Sequence, residues 1–227
     1  MTPYKAVLFD FDFTLADASK GILACISSAL RQMGLPIPDR QAMLHTVGLS
    51  LKETFFSLTG IREEERASRF SELFVLRSDE IMVENTVLYP DALPTLRALR
   101  ERGFGLGIVT TKYHRRIQAV FGREHALGLF DAILGGDDVS EPKPDPEGLC
   151  RALKMMNLAP TQALYAGDST VDAKTAECAG VPFAGVTTGA TTKQQLEAYP
   201  NTGVYKNLRE LAIQAGFLTD RMVKTDG

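Results

Sequence analysis

Short runs of apolar residues alternate with amphipathic segments over much of the chain. The first run, 6–9, has four consecutive apolar residues and leads directly into polar positions. Such a run is typical of a strand that is buried on both faces of a parallel sheet. Similar runs lie at 105–109, 130–134, 163–166 and 182–186, and apolar residues between them recur at helical spacing. This alternation predicts an α/β fold, with a parallel sheet and helices on both of its faces.

One block of the chain departs from this alternation. From residue 18 to about residue 83, apolar residues recur only at helical spacing, and glycine or proline separates one helical stretch from the next. Because the block follows the first strand directly, we expect an inserted all-α helical bundle at 16–85. The core domain would then consist of 1–15 and 86–227. An insertion at this point of the chain is well placed to act as a lid over the strand ends.

The composition bounds the compartment and the partners. The chain has 227 residues and a formal net charge of -3, which gives no electrostatic argument for binding nucleic acid or an anionic membrane. Its three cysteines are far apart in the sequence, and no two of them form a C-x-x-C motif. We therefore expect free thiols in a reducing compartment. No signal-peptide-like or membrane-spanning apolar run is visible. We therefore expect a cytoplasmic protein, with a disordered tail from Arg221.

Polar side chains cluster just after the predicted strands. They are Asp10 and Asp12 after the first strand, Thr110, Thr111 and Lys112 after the 105–109 strand, Lys143 in the proline-rich loop 141–146, and Asp168 and Asp172 after the 163–166 strand. Each has an ordinary explanation alone, such as a helix cap or a solvated turn. Open α/β sheets, however, hold their ligands at the carboxyl ends of the strands. Clustered carboxylates there are costly unless a cation or a shared proton lies between them.

In this order and on these elements, the residues resemble the motifs of the haloacid dehalogenase (HAD) superfamily. The resemblance covers about residues 5–216 and is to the phosphatases with a helical cap inserted after the first motif, including those like phosphoglycolate phosphatase. It implies a Rossmann-like core and a cap domain. It also implies Mg²⁺-dependent hydrolysis of a small phosphorylated metabolite, such as a phosphoglycolate-like monoester, through an aspartyl-phosphate intermediate. The implied partner is a small phosphate ester, and the protein would be a monomer or a homodimer.

The resemblance also implies four catalytic side chains. Asp10 matches the nucleophile that attacks phosphorus. Asp12 matches the general acid and base that protonates the leaving oxygen and later activates water. Thr110 matches the hydroxyl that bonds a phosphoryl oxygen, and Lys143 matches the cation that offsets charge on nucleophile and phosphate.

The implied metal site consists of Asp10, the backbone carbonyl of Asp12, and Asp168, with Asp172 as a supporting carboxylate. The physics agrees with such a site, because a carboxylate that approaches a phosphate dianion is repelled unless cations are close by. Oxygen ligands of this kind suit Mg²⁺.

The implied substrate contacts come from two parts of the chain. Thr110, Thr111 and Lys143 lie at the strand ends, whereas Gly48 and Ser50 lie in the helical block. Capped members of the superfamily often place substrate-contacting residues at a position like that of Gly48 and Ser50. The same two residues could instead form a plain turn between helices.

The sequence departs from the superfamily pattern at one position in the first motif. Phe13 stands where the superfamily usually has glycine, so it either packs against the cap without harm or impairs catalysis. Phe13 is the only reason to consider a catalytically weak, ligand-binding descendant. Independently of Phe13, an inorganic pyrophosphatase and a β-phosphoglucomutase-like phosphotransferase are alternatives on the same scaffold. The mutase branch typically has an arginine shortly after the glycine and serine of the cap, whereas here Leu51 and Lys52 follow Ser50.

Overall fold

The computed structural model describes residues 2–223. Within this range the strands are β1 (Ala6–Phe9), β2 (Ala16–Asp17), β3 (Val87–Leu88), β4 (Gly105–Val109), β5 (Ala132–Leu134), β6 (Ala163–Gly167), β7 (Phe183–Val186) and β8 (Val204–Tyr205). The helices are α1 (Ser19–Gln32), α2 (Arg40–Leu44), α3 (Leu51–Thr59), α4 (Glu64–Ile81), α5 (Ala92–Glu101), α6 (His114–Arg123), α7 (Glu147–Met155), α8 (Thr170–Ala179), α9 (Lys193–Glu197) and α10 (Leu208–Gln214). Short 3₁₀ turns occupy Leu127–Leu129, Pro160–Gln162 and Asp220–Met222.

The central sheet has six strands in the order β5-β4-β1-β6-β7-β8, and the paired strands run parallel. β1 lies in its middle, between β4 and β6. All four residues of β1 are buried. Because side chains alternate along a strand, Ala6 and Leu8 face one side of the sheet and Val7 and Phe9 face the other. The predicted α/β fold with a parallel sheet is confirmed.

Helices bury one face of this sheet in a large apolar core. Ala6 and Leu8 belong to a cluster with apolar residues of α7 and α8, including Leu149, Ala152 and Ala176. α8 ends at Gly180, whose φ of 66° is the left-handed conformation that closes many helices. The helix–strand packing therefore rests on the apolar stripe of each helix, as the periodicity predicted.

The chain divides into two compact units. One runs up to Ala16 and continues from Leu88, and the other is Asp17–Val87. The second unit contains α1 to α4, and α4 packs against both α1 and α3. Its own core includes the rings of Phe55 and Phe70, whose centroids lie 5.5 Å apart. The position of this unit as a lid stays a prediction.

The C-terminal quarter holds the largest differences from expectation. α9, β8 and α10 were not predicted, because elements of two to seven residues are too short to show a period. The prediction of disorder from Arg221 is wrong for its first residues, since Asp220–Met222 form a 3₁₀ turn and Val223 is buried. Residues 224–227 of that prediction lie outside the described residues. Among residues 2–223, no helix combines the length and the apolar character needed to cross a bilayer.

Candidate active site at the strand ends

Three neighbouring strands end at the same edge of the sheet and carry the candidate residues there. β1 is followed by Asp10, β4 by Thr110 and β6 by Asp168. Phe9 pairs with residues of both β4 and β6, and the Asp10 backbone N–H donates to the Ala166 carbonyl at 2.9 Å. The parallel register therefore brings together side chains that lie up to 158 positions apart in the sequence.

Lys143 is the central cation of this edge. Its Nζ lies 2.7 Å from Asp10 Oδ1 and 2.5 Å from Asp172 Oδ1, and it donates to the Tyr165 hydroxyl at 3.1 Å. The Lys143 and Asp10 side chains are each only 4% exposed. Burial lowers the pKa of Lys143, but the two carboxylates outweigh burial and hold that pKa well above its ordinary value. Lys143 is therefore a permanent positive charge beside Asp10.

Asp172 is held by the first turn of α8. Ser169 is the N-cap, and its hydroxyl donates to Asp172 Oδ2 at 2.5 Å while the Asp172 backbone N–H donates back to the Ser169 hydroxyl at 3.2 Å. This reciprocal pair resembles a capping box. Asp172 Oδ1 remains directed at Lys143. The cap thus fixes the carboxylate that holds the lysine.

Asp10, Asp168 and Asp172 form a buried acidic cluster. Each offers one carboxylate oxygen, and these oxygens lie within 4.8 Å of one another. Burial, followed by the neighbouring carboxylates, raises the pKa of Asp168 well above its ordinary value. Burial is also the main cause that raises the pKa of Asp10, to about 6. Three buried carboxylates with one lysine among them are a donor set that fits a hard divalent cation.

Asp12 is not part of this cluster, and its carboxylate pairs with Lys112 instead. Lys112 Nζ lies 2.8 Å from Asp12 Oδ1 and 3.2 Å from Asp12 Oδ2. The expected metal contact of Asp12 concerns its backbone carbonyl, and it stays a prediction. Thr110 is buried, and its hydroxyl oxygen accepts the Lys112 backbone N–H at 3.3 Å.

Phe13 adopts the backbone conformation that glycine usually supplies. Its φ is 63°, in the left-handed region that a side chain disfavours. Its N–H donates to the Ala16 carbonyl at 2.7 Å, and its carbonyl accepts a hydrogen bond from the Thr188 hydroxyl. The side chain is 6% exposed. The turn after β1 therefore keeps a strained backbone with a buried aromatic ring.

The remaining predicted substrate residues lie in less specific settings. Thr111 is half-buried. In the helical unit, Gly48 has a φ of 94°, and Ser50 caps α3 by accepting the Glu53 N–H at 3.2 Å. Turn and cap roles explain the residue types at Gly48 and Ser50. Their contact with substrate stays a prediction.

Three residues at this edge had no role in the sequence analysis. Tyr165 places its hydroxyl 2.8 Å from the Val109 carbonyl and 3.0 Å from Asp172 Oδ1. Lys112 pairs with Asp12, and its place in the loop after β4 gave no indication of that partner. A Cβ on Gly189 would lie 1.8 Å from Asp168 Oδ2, so any side chain there would have to displace the Asp168 carboxylate. Of the three, only Lys112 had a signal in the sequence, namely its place after a strand.

Comparison with known proteins agrees with this geometry. The profile of the haloacid dehalogenase-like hydrolases matches residues 7–186. Phosphoglycolate phosphatase of Escherichia coli (strain K12) is 29% identical over 230 residues, which cover 91% of this chain and 90% of that protein. A solved structure from Bacteroides fragilis, assigned to the haloacid dehalogenase-like hydrolases, is 43% identical with a TM-score of 0.88 and covers 90% of this chain and 98% of its own.

A second solved structure, described as a predicted phosphoglycolate phosphatase from Haemophilus somnus, is 26% identical with a TM-score of 0.78; the match covers 91% of this chain and 96% of that one. The family match covers most of the chain, and the fold of its sheet agrees with it. The expected membership is thereby confirmed: the chain belongs to the haloacid dehalogenase-like hydrolase family.

Proposed function

We propose that the protein is a Mg²⁺-dependent phosphatase that hydrolyses a small phosphorylated metabolite, a monoester like phosphoglycolate, through an aspartyl-phosphate on Asp10. The observation that carries the proposal is the buried cluster of Asp10, Asp168 and Asp172 around Lys143. A purely structural ion pair would need one carboxylate for one lysine. Three carboxylates in one buried site are stable only when a further cation or protons compensate them.

In the first step, Asp10 acts as the nucleophile. One of its carboxylate oxygens forms a bond to phosphorus, and the bond from phosphorus to the ester oxygen breaks with its electron pair on that oxygen. Lys143, 2.7 Å from Asp10 Oδ1, offsets the repulsion between the carboxylate and the phosphate. We propose that the Thr110 hydroxyl, at the end of the neighbouring strand, donates to a phosphoryl oxygen.

Asp12 moves the protons of both steps. In its acid form it gives a proton to the leaving ester oxygen, so that a neutral alcohol departs. In the second step it takes a proton from water, and the water oxygen attacks phosphorus and displaces Asp10. Inorganic phosphate leaves, and both carboxylates return to their starting state.

The divalent ion would be held by Asp10 and Asp168, with the Asp12 backbone carbonyl as a further ligand and Asp172 as support. When bound, it supplies positive charge that lowers the repulsion between nucleophile and phosphate and stabilises charge on the transferred group. The choice of Mg²⁺ rests on the all-oxygen ligand set.

The proposed substrate class rests on the relatives. Phosphoglycolate phosphatases from several enterobacteria are 28–29% identical over 90% of their length. Thr111, Gly48 and Ser50 are the residues that we propose contact the substrate beyond its phosphate. The mild negative charge of the chain agrees with a small metabolite rather than a nucleic acid.

A phosphate-release screen tests the proposal. The panel contains 2-phosphoglycolate, sugar phosphates, p-nitrophenyl phosphate and inorganic pyrophosphate, each with Mg²⁺ and with EDTA. We expect ester hydrolysis that needs Mg²⁺ and that Asp10→Asn lowers by at least a thousandfold. Asp39→Asn is the matched control, because asparagine caps α2 as well as aspartate does, and it should keep wild-type turnover.

Two results would contradict the proposal. Turnover that survives in D10N would mean that Asp10 is not the nucleophile. A strong preference for pyrophosphate over every ester would assign the pyrophosphatase alternative instead.

A further inference from the structure

Lys112 is a second buried lysine at the same edge of the sheet, and Lys143 does not share its partner. Its ammonium contacts both carboxylate oxygens of Asp12, at 2.8 and 3.2 Å. The Lys112 side chain is 3% exposed and the Asp12 side chain is 13% exposed. Lys143, by contrast, bonds Asp10 and Asp172. The two lysines therefore form ion pairs with different carboxylates.

The backbone of Lys112 is fixed by the loop that follows β5. The Gly136 N–H donates to the Lys112 carbonyl at 3.0 Å, and the Lys112 N–H donates to the Thr110 hydroxyl at 3.3 Å. The two backbones approach so closely that a Cβ on Gly136 would lie 2.4 Å from the Thr111 carbonyl oxygen. This packing leaves the start of the Lys112 side chain little freedom.

The ammonium end of Lys112 is also held. It lies 5.3 Å from the centroid of the Phe11 ring, a distance at which the ring face attracts a cation. The Phe11 ring is itself fully buried and meets the Phe121 ring edge-on at 5.8 Å between centroids. Lys112 is thus fixed at both ends, and its position can set the position of Asp12.

We propose that Lys112 is a positioning residue that holds the Asp12 carboxylate where it can exchange a proton with the ester oxygen. This inference rests on the proposed function, in which Asp12 is the general acid. An aspartate at a turn has two free side-chain torsions, and general acid catalysis requires hydrogen-bond reach to the leaving oxygen. A cation that bonds both carboxylate oxygens removes most of this freedom.

The leaving group distinguishes positioning of Asp12 from a structural role. Phenyl phosphate and p-nitrophenyl phosphate differ by one nitro group, but p-nitrophenolate leaves without needing a proton, whereas phenolate is a stronger base that benefits from one. A residue that acts through the general acid should matter for phenyl phosphate and matter little for p-nitrophenyl phosphate. A residue that only supports the fold should affect both esters equally.

The test is kcat/KM of Lys112→Met on both esters with Mg²⁺ present. We expect a loss of at least tenfold for phenyl phosphate and less than twofold for p-nitrophenyl phosphate. Asp12→Asn should show the same selectivity. In single-turnover reactions with enzyme in excess, adding K112M to D12N should cost no further activity, because the group through which Lys112 acts is already gone.

Several outcomes would overturn the inference. They are an equal loss on both esters, no loss on either, or a further tenfold loss when K112M is added to D12N. If K112M does not fold, Lys112→Gln is the second variant, with the same expected selectivity. Failure of the proposed function is separate, because then wild-type protein releases no phosphate from either ester or D10N releases as much as wild type.

Discussion

Phe13 offers a test of whether backbone strain is stored next to the nucleophile. Its φ of 63° is left-handed, and its ring is 6% exposed. Two effects oppose each other when the side chain is removed. Loss of a buried phenylalanine ring costs about 3–5 kcal/mol, as in large-to-small substitutions in protein cores. Relief of the left-handed conformation returns about 1–2 kcal/mol, but only when the new residue is glycine.

These magnitudes predict an unusual order of stability. Phe13→Ala keeps the strain and loses the ring, so its free energy of unfolding should fall by about 3–5 kcal/mol. Phe13→Gly loses the same ring and is stabilised by about 1–2 kcal/mol because the strain is relieved. It is also destabilised by about 0.5–1 kcal/mol, because glycine loses more backbone entropy on folding than alanine does. F13G should therefore be as stable as F13A, or more stable by up to about 1.5 kcal/mol.

Phe11 is the matched control, since it lies two positions away, is fully buried and is absent from the positive-φ residues of the described chain. There Phe11→Ala should be more stable than Phe11→Gly by about 0.5–1 kcal/mol, the ordinary order. Equilibrium urea unfolding of the four variants measures both differences. If the free energy of unfolding of F13A exceeds that of F13G by the same margin as at Phe11, no strain is stored at Phe13, contrary to our expectation.

Two further predictions concern the acidic cluster. Gly189→Ala should lower Mg²⁺ affinity and kcat/KM at least tenfold, because its Cβ would displace Asp168. The control Gly122→Ala in α6 meets only an ordinary contact and should leave both quantities unchanged. Equal behaviour of the two variants in calorimetry and turnover assays would contradict this expectation. In EDTA, the urea midpoint of the wild type should fall as pH rises through about 6. The raised pKa of Asp10 means that the folded state binds a proton that the unfolded state has already released, and the stability that this proton confers is lost when it dissociates. D10N should show a smaller fall, and identical pH profiles for the two proteins would contradict this expectation.

Those residues of the candidate site that come directly after a buried strand could be predicted from the sequence. Asp10, Thr110 and Asp168 each come directly after a buried strand, and parallel strands share one edge for their carboxyl ends. Lys143 was placed at this edge by the resemblance, and the structure brings it to 2.7 Å from Asp10. The shortest elements of the C-terminal quarter escaped prediction, because two to seven residues are too few to establish a period.

The pairing of charges could not be derived from the sequence. Asp12 and Lys112 are 100 positions apart, and no local pattern states which lysine meets which carboxylate. Likewise, the sequence pattern predicts Tyr165 only as a position of a buried strand, although its hydroxyl forms hydrogen bonds with the Val109 carbonyl and Asp172 Oδ1.

By itself, the sequence predicted five strands of the sheet (β1, β4, β5, β6 and β7), the long helices, the candidate residues that follow those strands, and a helical insertion whose bounds stay a prediction. These follow from the spacing of apolar residues and from turn residues, which act over a few neighbouring positions. Only the tertiary structure decided that Lys143 bonds Asp10 and Asp172 while Lys112 bonds Asp12, and that Phe13 has a left-handed backbone. Those contacts depend on side-chain torsions and on the packing of loops from distant parts of the chain, and neither is encoded in local spacing.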